Sequence, residues 1–600
     1  MKKYILLSLL IIVNLKALSA QVLLKKVTLK DQIEKSSFVV EGQVIGKQSF
    51  WDANHEKIYT VNTVEVFKVF KGEVKAFVDV ITLGGVIDNE AQIVSPSLDL
   101  KLSDVGVFTL HDYNGKLKGV SNVSNNVVFS PYGLSQAFYK YDFISNLASN
   151  QLITKQGIES TLYKEIESST KTKFVEVSKF SIKNKLPKQT SAKLFDVANF
   201  YPTTISAGTK SILTITGSDF GSIKGKVGFR NADNAGGNFI DALDTQVLTW
   251  TDIQIEVEVP SQAGTGELRI TLNNGSSYLT DNALKINYAQ NNIVSNGIAY
   301  PAQLVDDNGN GGYTWQMSAH LAQTKGVKEA FKLALDTWSC ETKMNWELDE
   351  DNLATNSNAI HKAINDNKNV ISFDSSESSN PEEQLPDLVL GQRTSYYVSC
   401  SETINGVSRL VWYVKEFDIV FDGDADWNFS LNPPSTVQFD FQSVALHELG
   451  HCRQIDHVID TNDLMHFEIA KEEVLRTLNN DNIEAAALVQ ASSTSQPICS
   501  QPILKDSPKN CSLSIQDNNL STSVKMYPNP TNGNLFISHD SSINIEKIVV
   551  YDVSGRFIYN NFVKNSSGPK AINLKNASKG MYFVDIYSGN TVLTKKLLID

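Results

Sequence analysis

Three histidines and one glutamate fall within eleven residues: His447-Glu448-Leu449-Gly450-His451-Cys452-Arg453-Gln454-Ile455-Asp456-His457. In an α-helix, residues four apart share a face, so His447 and His451 can aim their imidazoles at one point. With His457 six residues further on, the set suits three nitrogen ligands of one tetrahedral zinc ion. Glu448 lies beside the pair, placed to reach a water at the fourth position and not the ion itself. A zinc ion with an open position acidifies water, so these residue types point to hydrolysis with Glu448 as general base. The chain holds nine histidines in 600 residues. An H-E-x-x-H match then arises by chance in on the order of one such chain in a hundred, and a third His at one set spacing in on the order of one in ten thousand.

A helix must carry the first pair. Phe441, Val444, Ala445, Leu446 and Leu449 supply its apolar residues, and Asp440 is suited to cap it after Pro433 and Pro434. The H-E-x-x-H signature followed by His457 resembles the metzincin clan of zinc endopeptidases. That clan has a tight methionine turn below the zinc, and Met465 in Asn462-Asp463-Leu464-Met465-His466-Phe467 looks like it. The short gap to Met465 is most similar to the matrixin branch. One position departs from the clan. Gln454 stands where a Gly usually lets the chain leave the helix, and a non-Gly residue there pays roughly 1 kcal/mol or more. Asp456, Asp460 and His466 are therefore alternative third ligands to His457. The resemblance implies an α+β catalytic domain, a twisted sheet plus the zinc helix, over residues 290–490. A helix over Val327–Thr337, strands over Val370–Phe373, Leu388–Cys400 and Val411–Phe421, and helices around Ile469–Leu478 and on to Ala491 would build it. In the clan an edge strand ahead of the zinc helix pairs with extended substrate, and Leu388–Cys400 is the candidate. Asp422-Gly423-Asp424-Ala425-Asp426 alternates Asp as structural Ca²⁺ loops do. Pro433 stands where the closing Glu should be, so a polar turn is the preferred reading.

The rest of the chain reads as a multidomain protein with flanking all-β sandwich domains. Residues 1–20 have the form of a signal peptide: Lys2 and Lys3, an apolar Tyr4–Val13, then Leu18-Ser19-Ala20. Losing Lys2, Lys3 and Lys16 would take the net charge of −12 three units further down, which argues against a nucleic-acid partner. No later segment has the apolar length of a transmembrane helix. Residues 21–190 are β-rich and carry no recognisable chemistry. Residues 195–288 are similar to the TIG (immunoglobulin-like) module, through Asn199-Phe200-Tyr201-Pro202, Leu213–Gly221, Trp250-Thr251-Asp252 and Val257-Glu258-Val259-Pro260. No catalytic residue is expected in that module. Residues 492–524 form a Ser/Asn/Gln/Pro-rich linker. Residues 525–600 resemble the C-terminal sorting domain of the type IX secretion system, through Met526-Tyr527-Pro528-Asn529-Pro530, Val549–Arg556, Gly580–Val584 and the terminal Lys595–Ile599.

The resemblance to that tail implies the type IX machinery as a partner and a secreted or outer-membrane-surface location on a Gram-negative bacterium. The five cysteines suggest Cys499 with Cys511 across the linker and Cys340 with Cys400, leaving Cys452 free and buried. Matrixin zymogens are often silenced by a prodomain thiolate, and no cysteine precedes Cys340 to do this. The expected protein is a secreted zinc endopeptidase acting on proteins or peptides, with Met465 as an apolar floor. Two other classes fit part of the pattern. One is a catalytically inactive adhesin that binds through its β modules. The other is a structural zinc site, which would need His466 as a fourth ligand.

Overall fold

The computed structural model describes residues 26–113, 126–186, 199–354, 361–375, 384–385, 389–404, 406–509, 524–539, 545–553, 556–562, 570–588 and 591–600. The expected signal peptide and Cys511 lie outside them. The chain forms two compact units, Met1–Ser507 and Pro508–Asp600.

The first unit begins with a twisted antiparallel sheet. Phe38–Trp51 and Ile58–Lys71 form a long hairpin, extended by Phe77–Leu83, Val105–Asp112 and Phe138–Asp142. β-Branched and aromatic residues dominate these strands, as a pleated buried surface favours. Both faces are covered. Val40, Val64, Val66 and Phe108 pack on one side, and Val39, Phe67, Val107 and Tyr139 on the other. Next comes a β-sandwich. One sheet holds Asn199–Tyr201, Ile212–Thr216, Gln254–Glu258 and Val247–Trp250; the other holds Thr204–Ala207, Ser277–Gln290, Ala263–Thr271, Lys226–Asn231 and Phe239–Asp241. Alternating inward residues such as Leu213, Ile215, Phe229, Ile255, Ile270 and Ile286 fill the space between them.

A fourth sheet organises the region around the histidines. Trp346–Leu348, Tyr313–Met317, Asn369–Phe373 and Val407–Phe421 run parallel in that order, and Gly391–Ile404 closes the row antiparallel to Val407–Phe421. The central parallel strand Asn369–Phe373 is buried on both faces, whereas Tyr313–Met317 alternates buried and half-buried residues. Helix Val327–Thr342 packs against the motif helix Phe441–Cys452, and Trp338 donates its indole N–H to the Leu446 carbonyl at 2.8 Å. The outer edge of Gly391–Ile404 is not open. Glu90–Ser95 pairs with it antiparallel, and Gly85–Ile87 follows beyond. This hairpin belongs by sequence to the N-terminal region and by hydrogen bonding to the central sheet.

Two local expectations are corrected. Residues 469–478 form no helix; helix Asn480–Ser493 follows them. Glu472 has φ +66°, Ala470 N–H is taken by the Glu473 carboxylate, and Leu475 N–H by Ser443 Oγ, so side chains divert the backbone from helical pairing. Cys400 is bonded to Cys499, 99 residues on, so neither Cys499–Cys511 nor Cys340–Cys400 forms. Nearness in sequence was the wrong guide, because the chain after the last helix folds back toward the edge strand. There Cys499 N–H is accepted by the Glu402 carboxylate. Cys340 is also disulfide-bonded, and Cys452 is free and buried. The Asp422–Asp426 segment is a turn whose backbone N–H groups at Gly423 and Asp424 are satisfied by Asp374 and Asp422.

The second unit contains a small two-sheet sandwich. Val524–Tyr527, Asn534–His539 and Lys570–Asn573 face Lys547–Asp552, Phe557–Phe562, Gly580–Ser588 and Thr591–Ile599. Leu535, Ile537, Val550, Ile572, Val584 and Leu597 form its core. Among the described residues, no helix is long and apolar enough to cross a membrane.

Candidate metal centre

The motif helix starts where Asp440 accepts Ser443 N–H at 3.1 Å, and Arg476 braces that carboxylate at 2.8 Å. The helix is buried along its whole length. His447 and His451 share a face, with Nε2 atoms 3.1 Å apart. After Cys452 the chain must turn away. Gln454 does this with φ +65°, the left-handed region that favours glycine. Its strain is met by hydrogen bonds: its N–H to the His451 carbonyl at 3.0 Å, and the Tyr397 hydroxyl to its Oε1 at 3.2 Å. Ile455–Asp456 then pairs with Ala289 and Gln290, the last residues of the sandwich strand. This docking carries His457 back, so that its Nε2 stands 3.1 Å from that of His451.

The outer nitrogens decide the tautomers. Nδ1 of His447 lies 2.7 Å from the Leu464 carbonyl, and that of His451 2.9 Å from the Ile455 carbonyl. Nδ1 of His457 lies 2.8 Å from the Asp233 carboxylate. Carbonyls and carboxylates only accept, so each Nδ1 carries the hydrogen and each Nε2 keeps its lone pair. Three lone pairs then converge on one point, where only a cation relieves their repulsion. Zn–N bonds of about 2.0–2.1 Å in a tetrahedron place nitrogens about 3.3 Å apart, close to the observed 3.1 Å. The residues present fit the ion. Burial, with the neighbouring His457 as a lesser cause, holds His447 down at about 3, and burial holds His451 well below the usual range. His457 goes the other way: burial pulls it down, but the Asp233 hydrogen bond and nearby carboxylates outweigh this.

Glu448 follows His447 on the helix and is 1% exposed, against 3%, 1% and 7% for the three histidines. Its Oε2 has no hydrogen-bond partner. Burial drives its carboxyl up to about 8, against the opposing charges of Arg393 and His457. Gly391 gives it room, since a Cβ there would lie 3.1 Å from Glu448 Oε1. Met465 is fully buried in a tight turn, where its N–H is taken by Asp463 Oδ1 and its carbonyl accepts Val458 N–H. It lies under Gly450, whose missing side chain is required: a Cβ would meet Met465 Sδ at 2.4 Å. Among the described residues the three histidines group together, while Asp456 groups only with Asp233 and His457, their ligand atoms within 4.8 Å of one another. His466 Nδ1 is 3.2 Å from the Val458 carbonyl, Asp456 accepts His457 N–H, and Asp460 accepts Asn462 N–H.

Two residues were not found from sequence. Asp233 lies in the sandwich module from which no contribution to the site was expected. Arg393 is buried on the edge strand, donates to Ser395 Oγ at 3.0 Å, and supplies positive charge near Glu448. Neither has a spacing signal, since each reaches the site only through folding.

Residues 410–489 match the family model described as matrixin, taking in most of Val407–Phe421, the motif helix and the methionine turn. Residues 197–288 match the IPT/TIG domain, and residues 525–600 the secretion system C-terminal sorting domain. The chain thus carries all three modules. No curated protein matches it. A crystal structure of a Salmonella alpha-2-macroglobulin mutant aligns at 8% identity and a TM-score of 0.09, covering 94% of this chain. The chain spans 29% of that structure's length, and a likeness this weak carries no argument.

Proposed function

We propose that the protein is a secreted zinc endopeptidase that cleaves extended segments of proteins. The observation that carries this reading is the convergence of three Nδ1–H histidines on one point beside a buried, half-unpartnered glutamate. His447, His451 and His457 would hold the ion. When bound, zinc supplies Lewis acidity that brings a water into reach of deprotonation near neutral pH and polarises a carbonyl. Glu448 would take the proton of the attacking water and pass it to the leaving amine. Met465 would keep the imidazoles from tilting by filling the volume below them. The order of the chain's central strands, four parallel and then Gly391–Ile404 antiparallel on the side of Glu448, supports the metzincin reading. The sorting-domain match supports export by the type IX machinery, with release or surface attachment afterwards.

The adhesin reading draws on the burial of Glu448. One experiment separates the two. Zinc content and cleavage of unfolded protein are measured for the parent and for Glu448→Gln, with and without chelator. The peptidase reading expects equal zinc and a loss of cleavage of at least a hundredfold in the variant. Cleavage by neither protein with zinc bound, both before and after limited proteolysis of the N-terminal region, would favour the adhesin.

A further inference from the structure

The edge of the central sheet nearest Glu448 already holds a peptide, and it comes from this chain. Glu90–Ser95 pairs with Val398–Arg393 over six consecutive residues, antiparallel. The segment runs toward the site. Ser399 N–H bonds the Asn89 carbonyl at one end, and Gln392 Nε2 bonds the Pro96 carbonyl at the other, at 3.1 Å. Gln392 adjoins Gly391, which touches Glu448. Beyond Pro96 the chain departs: Ser97 Oγ bonds the Leu83 carbonyl, and Leu98 and Leu100 enter the N-terminal core. A second contact lies beyond the methionine turn. There Leu134 and Leu152 pack with Val389, Leu385 and Phe467. The Glu448 carboxylate and the three imidazoles are all buried.

We infer that residues 85–96 occupy the surface that an extended peptide substrate would take, and that the N-terminal region holds the enzyme latent through them. The inference rests on the peptidase reading for its meaning and on the pairing for its evidence. An antiparallel peptide adding to Gly391–Ile404 needs the same backbone N–H and C=O groups that Glu90–Ser95 now uses, so both cannot bind together. The mechanism needs no thiol, in keeping with a chain that has no cysteine before Cys340. It also gives the region an attachment that reaches past the hairpin. Lys362 pairs with Glu56 at 3.3 Å, and the Tyr396 hydroxyl donates to the Glu56 carbonyl at 3.1 Å. Activation then requires the hairpin to leave, by cleavage or by local opening.

The test uses the full, zinc-loaded chain. Successive N–H groups of a strand point to opposite sides, so one of Ile93→Pro and Val94→Pro removes a ladder bond to the edge strand. A second variant, Leu134→Asp with Leu152→Asp, opens the apolar contact and leaves the strand intact. Circular dichroism checks folding of each. Two quantities are read: kcat/KM on unfolded protein, and the rate at which a chelator strips the zinc. Latency expects both to rise at least tenfold in the more disruptive proline variant and in the leucine variant. Folded variants with parental values of both would overturn it. Faster zinc loss with cleavage absent throughout would uphold the occlusion and reject the peptidase reading. A parent already as fast as its variants in cleavage, with unchanged zinc loss, would keep the peptidase and reject latency.

Discussion

The Asp233 carboxylate accepts the Nδ1–H of His457 at 2.8 Å, across 224 residues of chain and from a separate β-sandwich. The third imidazole is therefore oriented by a module that carries none of the three histidines. Asp233 is itself held, since Gln262 Nε2 donates to its other oxygen at 3.3 Å and Asn231 caps its N–H. A carboxylate behind a ligating imidazole fixes its tautomer and raises its basicity. Asp233→Ala should weaken zinc binding about 10–100-fold, read by competition with a chromogenic chelator. Unchanged affinity would show that water replaces the carboxylate without loss.

Zinc should also stabilise the fold around it. The site buries three imidazoles whose lone pairs oppose one another, so the ion-free form carries that repulsion. A ligand that binds only the folded state at a thousand times its Kd adds about 4 kcal/mol. Chelation should lower the melting temperature of the first unit, and re-addition of zinc should restore it. A melting curve indifferent to chelator would contradict a tight site.

Gln454 offers a comparison with a definite sign. Alanine there keeps the left-handed strain and loses the Tyr397 hydrogen bond, while glycine loses the bond and relieves the strain. Gln454→Gly should be more stable than Gln454→Ala by about 1 kcal/mol, measured by denaturant unfolding. The reverse order would mean that the backbone does not hold φ +65° in solution.

Gly450→Ala tests the methionine turn. The new methyl would stand 2.4 Å from Met465 Sδ and 3.1 Å from Trp338, so one of them must move. Overpacking of this kind costs about 1–3 kcal/mol. The variant should lose stability and bind zinc more weakly, because Met465 lies against the turn whose Leu464 carbonyl orients His447. Full zinc affinity would show that the turn adjusts freely.

The pH dependence has a source away from the metal. Glu416 and Asp418 are buried on Val407–Phe421, where they accept backbone N–H groups of residues 364–370. Burial drives Glu416 up to about 8, against the donors that lower it, and Asp418 also rises through burial and the Glu416 charge. An acid with a raised folded pKa contributes its stability below the unfolded value and loses it as pH climbs through the folded one. Stability should fall between about pH 4.5 and pH 8, and Glu416→Gln should flatten that slope. An unchanged slope in the variant would place the pH sensitivity elsewhere.

The local parts of this protein were legible as text. Asp440 caps the motif helix, His447 and His451 share its face, Met465 follows in a turn, and the strands of the sandwich alternate as written. Such features depend on residues within one or two turns of each other, where helical and strand periodicity leave a direct mark. The strain at Gln454 was also readable, because one residue type stood where the backbone wants another. Residues 469–478 were misread because Glu473 and Ser443 capture their N–H groups, which composition does not reveal.

What tertiary structure alone decided lies between distant segments. It chose the Asp233 partner of His457, the Cys400–Cys499 bond, and the strand from residue 90 that covers the edge before Glu448. Those pairs are separated by 224, 99 and about 300 residues. Contacts at that range follow from how whole sheets dock, and docking is set by summed burial over many side chains, with no repeat or spacing to record it.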